Sequence, residues 1–194
     1  MAPSSDTKVV GSAGEHFVCS TLAQLRWSAA LTREGVAHAD VLAVHPDPPR
    51  RMVEVQVKTI RANPRPKWPM GGRWTSASES CREWYVFVLL GADVTERPRC
   101  FIVPRDHATA GAWIAHENWR TQPGIAPGKR NTPVERVRVG IDVWESYAER
   151  WDLLQRSAYE APVLLPPEVL DLMNEPRIGF PDWHPWSSTV RGRA

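Results

Sequence analysis

Residues 40–58 read Asp-Val-Leu-Ala-Val-His-Pro-Asp-Pro-Pro-Arg-Arg-Met-Val-Glu-Val-Gln-Val-Lys. From Met52 to Lys58 the alternation is strict. Val53, Val55 and Val57 face one way, and Glu54, Gln56 and Lys58 the other, which is the period of a β-strand. Asp40 to Val44 is a shorter, more apolar run and reads as a buried strand. The three prolines between them cannot continue a ladder, so they mark a turn. With that turn centred near residue 48, the hairpin sets Asp40 opposite Gln56, their Cβ atoms roughly 4.5–5.5 Å apart. Glu54 and Lys58 then lie one step to either side on the same face. Three valines enter the core behind them.

Outward from this hairpin, Gly11 to Arg26 carries a helical pattern through Ala13, Phe17, Val18, Thr21, Leu22 and Leu25. Ser12 is positioned as its N-cap, with Glu15 as the capping-box partner. Trp27–Thr32 reads as a short strand followed by a turn at Glu34-Gly35. Thr59–Ser80 is long and irregular, a kind of loop that is often functional. Trp84–Leu90 reads as a central strand, Cys100–Val103 as a further one, and residues 105–119 as containing a helix. Val137–Val139 is expected at an edge, and Ile141–Leu154 fits an amphipathic helix. These elements predict an α/β (α+β) domain over residues 1–160, a mixed central β-sheet flanked by helices. Residues 161–194 form a Pro/Trp-rich extension, either packed onto the domain or partly disordered.

The 194 residues, 42% hydrophobic and 24% charged, suffice for one domain with a substantial core. A net charge of +2 excludes a generic polycation, so any nucleic-acid binding must come from local placement of charge. Cys19, Cys81 and Cys100 match no disulfide scaffold or zinc spacing. Without an apolar leader or an apolar run of about 18 residues, the expectation is a cytoplasmic protein with no membrane partner. Ala126-Pro127-Gly128-Lys129 fails as a phosphate loop, because Pro123 and Arg130 stand where Gly and Ser/Thr are needed. His116-Glu117-Asn118-Trp119-Arg120 fails as a zinc-protease motif at its last position.

The hairpin cluster suits phosphodiester hydrolysis. Mg²⁺ takes oxygen ligands, usually one or two carboxylates with water and phosphate oxygens completing the shell. Asp40 would be the central ligand, Gln56 would add its amide oxygen, and Glu54 a second carboxylate. Lys58 would orient the attacking water or stabilise developing charge. Glu15 would reach the same metal or a second one, the alternative to its capping role.

Three segments in order carry a likeness: Gly14-Glu15-His16-Phe17-Val18, His38-Ala39-Asp40-Val41-Leu42-Ala43-Val44 and Val55-Gln56-Val57-Lys58-Thr59. Together they resemble the PD-(D/E)XK nuclease superfamily, in its Q-x-K (Mrr-like, Holliday-junction-resolvase-like) branch. The likeness covers about half the chain, from Gly11 to Val103. It implies a restriction-endonuclease-like fold and Mg²⁺-dependent DNA cleavage, with Mn²⁺ as a substitute cation. It also implies a homodimer as one way of cutting two strands, and RNA stays open as a substrate beside DNA. Two positions depart from the pattern: Ala39 replaces the usual proline, and Gln56 the usual acid. A neutral amide is the weaker ligand, so the same fold could instead serve as a catalytically inactive DNA-binding or protein-interaction module. A third reading is an unrelated globular protein in which Glu15 lies far from Asp40.

Lys58, Arg61, Arg65, Lys67 and Arg73 occur in residues 58–73 without an acid, leaving 19 basic and 22 acidic residues for the rest of the chain. Trp68 and Trp74 are interleaved with them. Two readings stand. The cations neutralise phosphates while the tryptophans stack on unpaired bases, or the loop is solvated and its tryptophans pack onto the domain.

Overall fold

The computed structural model describes residues 5–33, 39–72 and 74–187. A long helix α1 (Ser5–Gln24) leads into strand β1 (Ser28–Leu31). Between them Trp27 N donates to Leu22 O (2.9 Å) and Arg26 N to Ala23 O (3.0 Å), while Arg26 takes the left-handed conformation at φ 70°. This is the Schellman pattern, with its hydrophobic contact made by the buried Trp27 and Leu22. The helix begins well before Ser12, so Ser12 is not an N-cap and Glu15 is not held in a capping box.

Strands β2 (Val41–Val44) and β3 (Met52–Arg61) form the expected hairpin, with Val41 paired to Val55 and Leu42 to Glu54. Val53, Val55 and Val57 are buried, as their alternation predicts. A short strand β4 (Lys67–Pro69) interrupts the stretch expected to be irregular. Strands β5 (Glu83–Leu90) and β6 (Arg99–Pro104) complete a five-stranded sheet in the order β1-β2-β3-β5-β6. The β3–β5 pair is parallel and the other neighbours are antiparallel, giving a mixed α+β architecture.

Helix α2 (Arg105–Arg120) follows β6 directly, and β7 (Arg138–Gly140) pairs with β4 in a separate two-stranded ribbon. Because directly paired residues share a face, Lys58 lies on the same side of the sheet as Phe87 and Phe101. The ribbon covers that side. Trp68 packs 5.8 Å from Phe87 and 5.4 Å from Phe101, and Trp144 stacks on Phe87 at 4.9 Å. Helix α1 approaches β3 through Gly14, where any side chain would collide with Thr59 Oγ1.

The helix expected over Ile141–Leu154 is absent. Three 3-10 turns, Ile141–Val143, Glu145–Tyr147 and Trp151–Gln155, take its place. The cause is β6. Ala148 bridges Phe101, Glu149 N donates to Cys100 O (2.8 Å), and Glu149 sits at φ 54°. A helix cannot meet a strand edge this way and keep its own ladder. The extension is packed as far as residue 187. Ala161 and Leu165 belong to the main core, and a short helix α3 (Pro167–Leu172) follows. Trp113 Nε1 donates to Ile178 O (2.8 Å), while the buried His184 meets Thr109 Oγ1 at 2.9 Å. Among the described residues, no helix is long and apolar enough to cross a membrane.

Candidate active site

The β2–β3 hairpin opens at Asp40. Its N–H still donates to Val55 O (2.8 Å), the last backbone bond of the pair on that side. The next ladder donor, Val57 N–H, is taken instead by Asp40 Oδ2 at 2.8 Å. Gln56 Nε2 donates to the same oxygen. A carboxylate thus stands where the strand partner would have been, and the Gln56 amide closes on it across the fork. Both residues are half-buried.

Lys58 follows two residues along β3, on the same face as Gln56. The positive-φ Gly71, just beyond β4, brings the backbone alongside it. A Cβ at that position would lie 3.9 Å from Lys58 Nζ. Glu15 reaches the group from α1. Burial pushes its carboxyl above the ordinary range, the Asp40 charge pushes it further, and His16 and Lys58 pull it back. Both Asp40 and Lys58 therefore act on Glu15, and Gly14 is what lets the helix come so close. Cys19, one turn on, is also raised, first by burial and then by the Glu15 charge.

Glu54 does not join this group. Its carboxylate is paired with Arg82 Nε at 2.9 Å, toward the other end of β3, so it is corrected from metal ligand to ion-pair partner. Trp68 and Trp74 are fully buried and cannot stack on a base. Trp68 also spends its indole N–H on Val88 O (3.1 Å). Their role is packing, the second of the two readings of that loop. Arg61 makes an exposed pair with Asp6 (3.2 Å), which is worth little and leaves the side chain at the surface. Arg65 and Lys67 are exposed, and Arg73 lies outside the described residues.

The donor set left for a metal is Asp40, Gln56 and Glu15: two carboxylates and an amide oxygen. Among the described residues no three His, Cys, Asp or Glu side chains gather in a metal-holding group. Two carboxylates with an amide are nevertheless the hard-oxygen composition that Mg²⁺ accepts, since it keeps several waters and takes the rest of its shell from phosphate. Comparison with known protein families, with curated proteins and with solved structures finds no match for the chain.

Proposed function

We propose that the chain is a metal-dependent nuclease of PD-(D/E)XK type that hydrolyses DNA phosphodiester bonds. The observation that carries this reading is the fork at Asp40. A carboxylate and an amide meet there, a lysine follows two residues along the same strand, and a helical glutamate is coupled to both charges. Asp40, Gln56 and Glu15 would hold Mg²⁺, or Mn²⁺ in its place. When bound, the ion supplies positive charge at the phosphodiester and lowers the pKa of a water. Lys58 donates to the attacking water or to the phosphate oxygen that gains charge. Glu54 has no part.

Plasmid nicking by purified protein tests the assignment, with Mg²⁺, Mn²⁺ or a chelator. Activity should require the divalent ion and fall by at least about 100-fold in Asp40→Ala and Lys58→Ala proteins, as expected when charge stabilisation is removed. Metal-dependent nicking that survives both substitutions would sink the proposal.

A second reading is a nuclease-like module that binds DNA without cutting it. It is favoured by the hydrogen bonds that Asp40 Oδ2 already accepts from Gln56 and Val57. It predicts salt-sensitive DNA binding with no turnover in any metal.

A further inference from the structure

A second concave surface lies between the β4–β7 ribbon and the C-terminal half of α2. It encloses about 410 Å³ and is lined in part by Lys67, Arg136, Arg138, Trp119, His116 and Asp142. That volume is in the range of about 300–1,000 Å³ typical of ligand sites. Its lining carries three cations, with Glu117 and Glu135 also acting on His116. Burial pulls His116 below the ordinary histidine range, toward the neutral form. Asp142 is the single acid lining it among the described residues.

Lys67, Arg136 and Arg138 are all exposed, and none has an ion-pair partner among the described residues. Elsewhere nine arginines each meet a carboxylate within 4.0 Å. That is about half of the described arginines, and three of the unmatched cations gather in this one cleft. Low-dielectric walls focus such a field and attract anions.

The cleft also has an aromatic wall. Trp119 is 40% exposed, whereas Trp68 and Trp74 are fully buried. Arg130 lies over its ring, 5.3 Å from the centroid, and is anchored there by Trp119 O and by Gln122 Oε1 (2.8 Å). Finally, a short stretch of chain links the cleft to the fork. Lys67 begins β4, and Gly71, four residues on, stands beside Lys58. Four extended residues span no more than about 13–14 Å.

We infer that this cleft binds a single-stranded segment of nucleic acid, with Lys67, Arg136 and Arg138 on its phosphates and Trp119 against a base. Cations that track the backbone beside a stacking platform are the usual means of holding an unpaired strand. The inference rests on the nuclease reading for its purpose, since the strand would flank the bond at the fork. Its binding chemistry stands without that reading.

Fluorescence anisotropy of labelled single-stranded oligonucleotides, DNA and RNA in separate arms, tests it on the full chain in chelator across a salt series. The Lys67→Ala/Arg136→Ala/Arg138→Ala protein should bind at least about tenfold more weakly. Its plot of log K against log salt should be shallower by about 2, from about 0.7 per phosphate contact. Trp119→Ala should lose about tenfold with the slope unchanged. All four side chains are exposed, and circular dichroism checks that each variant is folded. Unchanged affinity and slope in the triple variant would overturn the inference. So would no binding by the wild type, or a mononucleotide bound as tightly as the oligonucleotide. If nicking is absent but the triple variant loses oligonucleotide, the nuclease reading fails and the cleft stands. If nicking needs Asp40 and Lys58 while the triple variant binds and cuts normally, the cleft fails and the nuclease reading stands.

Discussion

Two carboxylates flank the β3–β5 pair and meet opposite fates. Glu83, at the start of β5, is almost fully buried and almost fully satisfied. Its Oε1 accepts from Glu79 N (2.6 Å) and Ser80 N (2.7 Å), and its Oε2 pairs with Arg105 Nη1 at 3.0 Å. Arg105 in turn holds Ser76 Oγ at 2.9 Å. Asp40 is half-buried, accepts from the Gln56 amide, and its charge helps to raise the carboxyl of Glu15. The first arrangement ties the start of α2 to the turn before β5. The second sets two carboxylates, Asp40 and Glu15, within reach of each other, a repulsion that a cation would relieve. A buried carboxylate closed on a guanidinium marks a structural pair, whereas neighbouring carboxylates that repel each other are the kind of arrangement found at functional sites.

The contrast is tested most severely by Glu83→Ala. It strands a buried guanidinium and should destabilise the fold by about 3–5 kcal/mol in chemical denaturation. Asp40→Ala should cost far less, mainly the Val57 N–H left without its acceptor, about 1–2 kcal/mol. Equal losses would erase the distinction between the two carboxylates. A smaller effect is expected of Gly14→Val, which forces α1 away from Thr59 and should cost about 1–3 kcal/mol. Because it also withdraws Glu15 from the fork, it should depress nicking more than a stability loss of that size explains, measured well below the Tm.

The smallest effect sharpens the comparison through its sign. The Glu15 carboxyl is raised above 4.5 in the folded protein. Its favourable contribution is complete below that value and is lost as pH rises through the folded pKa. At pH 7.5 the charged Glu15 therefore opposes folding, and Glu15→Gln should give a small rise in Tm. The difference should vanish near pH 4, when both side chains are neutral. A fall in Tm at pH 7.5 would mean that Glu15 is held by a cationic partner, as Glu83 is.

The hairpin was legible because its information is local. Strict alternation in Val53–Lys58 fixes the faces, the proline-rich turn fixes the register, and the observed pairing of Val41 with Val55 follows from the two together. The mixed sheet flanked by helices was legible for the same reason. What escaped depends on distant contacts. Nothing near Trp68 says that Phe87 and Phe101 will cover it. The apolar spacing of Ile141–Leu154 is real, yet the β6 edge claims Ala148 and Glu149 and breaks the helix. Glu54 shares its face with Gln56, and only the position of Arg82 decides that it is already engaged. Arg136 and Arg138 left a weak trace, two cations either side of the buried Val137, but the cleft needs Lys67 beside them to exist.

The sheet order also sets a sequence of events in folding. Asp40, Gln56 and Lys58 are brought together by an antiparallel meander whose partners are near neighbours in the chain, so loop closure is cheap and fast. The ribbon needs Lys67 to find Gly140, and the β3–β5 pair must first close the long crossover between Arg61 and Glu83. Non-local pairings of this kind form slowly. The fork should thus acquire its shape in the earliest phase of refolding, while the basic cleft appears only when the last third of the chain has docked.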